Sequence, residues 1–403
     1  MPNKLFFEEK ENAKCLVDLL KMYQFTAEEN TPLETEVALD PELLGKIFEN
    51  LLASVDQNTA QMARKATGSF YTPREIVDYM VVESLLAYLN GHLEKAKAQK
   101  LEHLKDLDKK DEATKKVLLE ALDKLKILDP ACGSGAFPMG ILHQIQDILR
   151  QIDKDNTHWK ESLIQSFPVY LQGEMRKKLQ GENLDYVRKL GIISKSIYGV
   201  DIQPIAIQIT KLRCFLSLVI DQNTNELPED NFGIKPLPNL EFKFVGANTL
   251  IGLGLREFYD KEGKLFANKF EETIKALQAI TDKYFQTDQN GNSKATLQKD
   301  FDKLQRELLQ IVGDLTKQSP KAAEIAQKLL QWQPFEDTAT TPFFDSYYMF
   351  GVKEGFDIVL GNPPYVQLQK MKAQQADFEK QGYKTYNKMS DLYCLFYEKG
   401  FDL

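Results

Sequence analysis

The chain has 403 residues, 43% hydrophobic and 27% charged, the balance of a soluble globular protein with room for two or three structural units. No apolar stretch approaches the roughly 18–20 residues that span a bilayer, and Met1-Pro2-Asn3-Lys4 does not open a signal peptide, so a cytoplasmic location is expected. Cys15, Cys132, Cys214 and Cys394 are scattered and His is scarce, which supports neither a disulfide framework nor a zinc site. The net charge of −8 argues against a nucleic-acid surface over the whole molecule; a DNA substrate requires a local basic cleft, or one supplied by further sequence.

Residues 1–65 read as helical, with Leu44, Ile47, Phe48, Leu51 and Leu52 at helical spacing after Asp40-Pro41. Gly68-Ser69-Phe70-Tyr71-Thr72-Pro73 follows and leads into an amphipathic helix from about Arg74. Either Phe70 and Tyr71 line a small pocket, or the run is simply a helix start at Thr72-Pro73. From there short apolar runs alternate with helical segments. Lys126–Asp129, Ser196–Asp201, Leu240–Val245 and Phe356–Gly361 are the expected strands. That alternation predicts an α/β fold with a doubly wound, mostly parallel, Rossmann-like sheet.

Two stretches interrupt the alternation. Residues 150–195 carry a mixed helical pattern. Phe266, Phe270, Ile274 and Leu277, then Leu297, Phe301, Leu304, Leu308, Ile311 and Leu315, step by threes and fours on either side of Asn290-Gly291-Asn292. This reads as an antiparallel helical hairpin, a packed insert without chemistry of its own.

The unusual residues fall in the turns after the strands, which share one edge of a doubly wound sheet. After the first strand comes Asp129-Pro130-Ala131-Cys132-Gly133-Ser134-Gly135-Ala136-Phe137. Its glycines let the backbone approach a ligand closely. Pro138 stands where a dinucleotide fingerprint requires its third glycine, and no Gly-Lys-Ser/Thr follows, so a phosphate grip is excluded. Asp129 suits a cationic amino group such as that of S-adenosylmethionine, or it caps a helix. After the second strand, Asp201 can accept both hydroxyls of a ribose with Ile202 over an adenine, or act as a cap. After the third, Asn248 either bonds a base edge or serves as an ordinary turn residue. After the fourth stands Asn362-Pro363-Pro364-Tyr365. Two prolines fix two φ angles and remove two donors, which leaves the turn's carbonyls and the Asn362 oxygen to accept from an exocyclic amine beside the Tyr365 ring. The alternative is a stiff turn and nothing more.

Taken together these residues resemble the γ-class amino-methyltransferases of DNA. They are most similar to the methyltransferase part of large single-chain type IIG restriction–modification enzymes and to related phage-defence adenine methyltransferases. Gly68–Pro73 is similar to the N-terminal cofactor motif, Asp129–Phe137 to the glycine-rich motif, Asp201-Ile202 to the ribose and adenine contacts, Asn362–Tyr365 to the catalytic motif and Ser390–Tyr393 to the helical motif after it. The resemblance implies S-adenosylmethionine as cofactor, held by Phe70, Tyr71, Thr72, Pro73, Asp129, Ala131, Gly133, Gly135, Phe137, Asp201, Ile202 and Asn248. It implies Asn362, Pro363, Pro364 and Tyr365 as catalytic residues, double-stranded DNA with a flipped adenine as substrate, and no metal.

The implied organisation is an N-terminal helical region over 1–65, a cofactor-binding part of the methyltransferase core over 66–255, the hairpin insert over 256–333 and a catalytic part over 334–403. Since the family's later strands and target-recognition domain do not follow Leu403, the chain is expected to be a fragment, with target recognition and a nuclease as candidate further domains. Asn248 stands where some relatives carry Asp, which leaves its base contact in doubt. Two other readings share the motifs: transfer to a protein glutamine amide, and a non-catalytic cofactor-binding subunit of a defence complex.

Overall fold

The computed structural model describes residues 72–403 apart from 168, 224, 226–232, 235–239, 254–270, 278, 281–291, 317–319 and 337. The expected N-terminal helical region, with Asp40-Pro41, Phe70 and Tyr71, lies outside the described residues, as do Phe266 and Phe270.

Helix α1 (Arg74–Lys95) starts directly after Thr72-Pro73, where the Pro73 carbonyl accepts from the N–H groups of Ile76 and Val77. It buries Val77, Val81, Leu85, Leu89 and Leu93, a single stripe four residues apart. Helix α2 (Glu112–Lys124) is capped by Asp111, whose carboxylate accepts from Thr114 N at 2.9 Å.

Four strands follow: β1 (Ile127–Asp129), β2 (Ile197–Asp201), β3 (Phe244–Gly246) and β4 (Ile358–Val359). All pair in parallel, in the order β3-β2-β1-β4. The expected strands are therefore present, with two differences: the fourth is confined to Ile358–Val359, and the third begins later. Leu240–Phe242 are not extended, because Lys243 N and Phe244 N both donate to the Leu240 carbonyl and close a turn. From β1 the chain steps outward to β2 and β3, then returns to lay β4 on the other side of β1. That reversal opens a crevice at the C-terminal ends of β1 and β4.

Side chains alternate across the sheet. Ile127, Ile197, Phe244 and Leu360 join one core with α1, α2, α3 (Ala136–Ile152), α4 (Thr157–Gln165), α5 (Val169–Lys178), α6 (Leu184–Lys195) and α7 (Pro204–Val219). Leu128, Tyr198, Val200 and Val245 point into a second core on the other face. The insert supplies much of that second layer: the second expected arm is α8 (Asn292–Thr316), the turn and part of the first arm lie outside the described residues, and α9 (Pro320–Leu329) is a helix the sequence did not single out. Ile274, Leu277, Phe301 and Leu308 pack in the same cluster as Leu128 and Val200, and Phe301 lies 5.6 Å from Trp332 and 5.7 Å from Phe242, ring centre to ring centre. The insert is thus part of the core rather than a satellite.

Phe301→Ala is accordingly expected to cost about 3–5 kcal/mol of unfolding free energy, read as a lower urea midpoint for the cooperative unit. A loss under about 1 kcal/mol would show that the insert folds apart from the sheet. Among the described residues no helix is long and apolar enough to cross a membrane, and no cluster of His, Cys, Asp or Glu could hold a metal ion.

Candidate active site at the sheet switch point

Asp129 ends β1 and is 1% exposed. Its Oδ1 accepts from Ala131 N at 3.1 Å, while Oδ2 is buried without a partner. The glycine loop is then laced to β2: Cys132 N donates to Val200 O and Gly133 N to Asp201 Oδ2, both at 2.9 Å. Gly135 has φ +87°, and a Cβ there would stand 2.8 Å from Thr210 Oγ1, so both its backbone and its neighbour require glycine. Thr210 and Arg213, three residues apart on α7, donate to the Gly133 and Ser134 carbonyls at 3.0 and 2.9 Å. Thr249 Oγ1 donates to Pro130 O at 2.7 Å. These side chains thereby engage three of the loop's carbonyls.

Asp201 accepts from Gly133 N at 2.9 Å with one carboxylate oxygen and from Gln203 N at 2.8 Å with the other. Each oxygen keeps a further lone pair. Burial raises the Asp201 carboxyl above the usual carboxylate range. Burial likewise pushes Asp129 up to about 8, opposed by the Ala131 N–H and reinforced by the neighbouring charge of Asp201. Two desolvated carboxyls side by side make this rim a receptor for positive charge.

The Asn362 turn leaves β4 in contact with Asp129. Leu360 N donates to Leu128 O at 3.0 Å, and a Cβ on Gly361 would lie 2.4 Å from Asp129 Oδ1. Asn362 is half-buried and its Nδ2 donates to Thr72 Oγ1 at 3.2 Å. Among the described residues no donor reaches its Oδ1. Pro363 and Pro364 are half-buried, and Tyr365 is 57% exposed with its ring centre 5.5 Å from that of Tyr393. A short antiparallel bridge explains the last contact. Gln367 pairs with Asp391, Leu392 N donates to Val366 O, and the start of helix α10 (Tyr393–Asp402) is thereby brought beside the turn.

Thr72, Asp129, Ala131, Gly133, Asp201 and Asn362 therefore converge on one rim. Ile202 stands 57% exposed at the end of β2. Pro73 starts α1, and Phe137 is buried in the core beneath the loop, in the first turn of α3. Asn248 shares the edge but follows β3, about 14 Å across the sheet from β4. Its Oδ1 accepts from Leu250 N at 3.2 Å and its own N–H donates to Thr341 O, the local turn role that Asn often takes. The sequence singled out neither Thr210, Arg213 and Thr249 nor the Gly361–Asp129 contact. The only local signal was the three-residue spacing of Thr210 and Arg213 on the helix after Asp201.

The Eco57I restriction-modification methylase family matches residues 195–403, just over half of the chain, including Asp201 and the Asn362–Tyr365 turn. A protein of Methanocaldococcus jannaschii named as a type II restriction enzyme and methyltransferase is 32% identical over 266 residues, 62% of this chain. The chain spans 20% of that protein's length. The matched half carries the second strand, the Asn362–Tyr365 turn and the helix that follows it, and the chain belongs to the Eco57I restriction-modification methylase family.

Proposed function

We propose that this chain is the methyl-transferring part of a type IIG restriction–modification or phage-defence enzyme, acting on adenine N6 in DNA with S-adenosylmethionine. The observation that carries this reading is the contact of the Asn362 turn with Asp129 across β1 and β4. The cofactor fits the residues present, because Asp129 Oδ2 is an orphaned buried acceptor beside a glycine cradle and suits an ammonium group. Asp129 would hold that ammonium, Ala131, Gly133 and Gly135 would line the cradle, Asp201 would accept from the ribose hydroxyls, and Ile202 would cover the adenine. When bound, the sulfonium supplies an electrophilic methyl group.

Adenine N6 is a poor nucleophile because its lone pair is delocalised into the ring. Asn362 Oδ1 and the Pro363 carbonyl accept its two hydrogens and draw the nitrogen toward tetrahedral geometry, which returns the lone pair to it. Orientation of this kind supplies about 7–11 kcal/mol of barrier lowering at best. Extruding the base from a duplex costs a few kcal/mol, and stacking on Tyr365 offsets roughly 1–3 kcal/mol of that. On this reading target recognition comes from further domains of the same polypeptide, and the protein works in the cytoplasm.

The test is nucleoside mass spectrometry of DNA incubated with the intact gene product and methyl-labelled cofactor. N6-methyladenine is the expected product. Label in cytosine N4, or only in glutamine-containing protein, would overturn the assignment.

A proton linkage follows from Asp129. Burial pushes its carboxyl up to about 8, and an ammonium partner lowers that value. Binding at neutral pH therefore expels a proton, and affinity rises as pH rises toward about 8, by up to tenfold per unit, and levels off above it. Calorimetry with sinefungin, a non-transferring analogue whose amine replaces the sulfonium methyl, should show proton release in buffers of different ionisation enthalpy. Buffer-independent heat would contradict this role of Asp129.

A further inference from the structure

We propose that residues 366–390, the lobe that follows the Asn362 turn, form a docking surface for the phosphate backbone of duplex DNA, with Lys370 and Lys388 as its anchors. This rests on the DNA reading above and adds where the duplex is held.

The chain as a whole is poorly suited to a polyanion, with a net charge of −8. Residues 366–390 depart from that balance: five lysines stand against Asp377 and Glu379, a formal charge of +3. All five lysines are exposed. Lys380 lies 3.9 Å from Asp377, and Lys384 is attracted by Glu398. Among the described residues Lys370, Lys372 and Lys388 make no ion pair.

Exposed lysines alone would mark only a solvated face, but this lobe is fixed, and fixed beside the candidate site. Leu368 and Phe378 are buried in the second core. Tyr383 Oη donates to Leu250 O at 2.7 Å and Gly252 N to Gln381 Oε1 at 2.9 Å, which ties the lobe to the segment after β3. Its other tie is the bridge between Gln367 and Asp391, next to the turn that leaves β4. The lobe therefore runs along the C-terminal edge of the sheet from the β4 side to the β3 side.

The bridge also sets what stands near what. Tyr365 and Tyr393, whose ring centres are 5.5 Å apart, each lie two residues from the bridged pair on one side. Lys370 and Lys388 each lie three residues from it on the other side. Five residues reach at most about 17 Å, so both ammonium-bearing residues are within that span of the ring proposed to stack the extruded base. A duplex carries about ten phosphate charges over such a length. Lysine suits them: it is a point charge on a flexible stem, which grips backbone without reading sequence.

The experiment measures binding of the intact gene product to a short fluorescent duplex between about 50 and 200 mM salt, with sinefungin present. Wild type is compared with Lys370→Gln/Lys388→Gln and with Lys124→Gln/Lys126→Gln, which removes the same charge at the N-terminal end of β1, the opposite edge of the sheet. Each phosphate contact contributes about 0.9 to the slope of log affinity against log salt. The first variant should therefore lose about 1.8 from that slope and bind at least about tenfold more weakly at low salt, on target and unrelated sequences alike. The second should match wild type in both, and sinefungin affinity should stay within about threefold in all three. Should the double variant not fold, Lys370→Gln and Lys388→Gln singly should each lower the slope by about 0.9. An unchanged slope overturns the proposal. So does an equal loss in the two double variants, which marks net charge alone, or a loss confined to the target sequence, which marks a base contact. A wild type that binds no duplex takes the DNA reading down together with this inference. A wild type that methylates DNA while the slopes agree condemns this inference alone.

Discussion

Asn362→Ala is expected to lower single-turnover methyl transfer by at least about 100-fold while sinefungin affinity stays within a few-fold. The amide makes no hydrogen bond to the glycine loop or to Asp201, and its one described protein partner is Thr72. Removing it should leave the cofactor rim intact: Asp129 keeps its bond from Ala131, and Asp201 keeps those from Gly133 and Gln203. On the proposed mechanism, what disappears is the acceptor that draws the hydrogens of the target amine off axis. Such a group acts only as the nitrogen changes geometry, so its loss appears in the chemical step and not in ground-state binding. A variant that methylates at the wild-type rate would remove Asn362 from the mechanism. A variant that merely fails to bind sinefungin would move Asn362 from the chemistry to the cofactor site.

Gly361→Ala should damage both activities at once. The added methyl would stand 2.4 Å from Asp129 Oδ1, 3.2 Å from its Cγ and 3.4 Å from Pro130 Cδ. None of these atoms yields easily. The Asp129 side chain is buried and tied to Ala131 N, and β1 and β4 are joined by the bond from Leu360 N to Leu128 O. Either the carboxylate is driven from its seat, which would remove the proposed ammonium receptor, or the Asn362 turn lifts away from the rim. Overpacking of this kind costs about 1–3 kcal/mol of stability. Sinefungin affinity should fall by at least about tenfold, the factor for 1.4 kcal/mol of lost interaction, and methylation should fall with it. Calorimetry on the folded variant decides the matter; wild-type affinity would mean that Asp129 and the turn are not coupled.

The contrast between these two substitutions bears on what a sequence can reveal. Asp129, Asp201 and Asn362 were legible because each follows an apolar run that reads as a strand, and strand ends in a parallel sheet share an edge. The order of strands along that edge was not legible, since it depends on pairing between segments far apart in the chain. That is why the sequence places Asn248 and Asn362 on the same edge without saying how far apart they stand, although β3 and β4 lie at opposite sides of the sheet. Gly361 read only as the last residue of a strand, and its contact with Asp129 exists only because β4 lies beside β1. Thr210 and Arg213 are unremarkable on their helix; their bonds to the Gly133 and Ser134 carbonyls follow from how α7 packs.

The same limit applies to the fold. The threes and fours of Phe301, Leu304, Leu308 and Ile311 announced a helix with one buried face. Periodicity does not say what covers that face, and here it is the second side of the sheet. The third strand began later than expected because apolar residues at 240 and 242 sit in a turn closed on the Leu240 carbonyl, a use of backbone that hydropathy does not record.

One measurement tests the central claim most directly: a crystal structure of the intact protein with sinefungin and a target oligonucleotide. The account predicts the ligand's ammonium within hydrogen-bonding distance of Asp129 Oδ2, and the amine that replaces the methyl facing the Asn362 side of the rim, with an extruded adenine between Asn362 and Tyr365. A ligand seated away from the junction of β1 and β4, or an adenine left in its duplex with sinefungin bound, would contradict it.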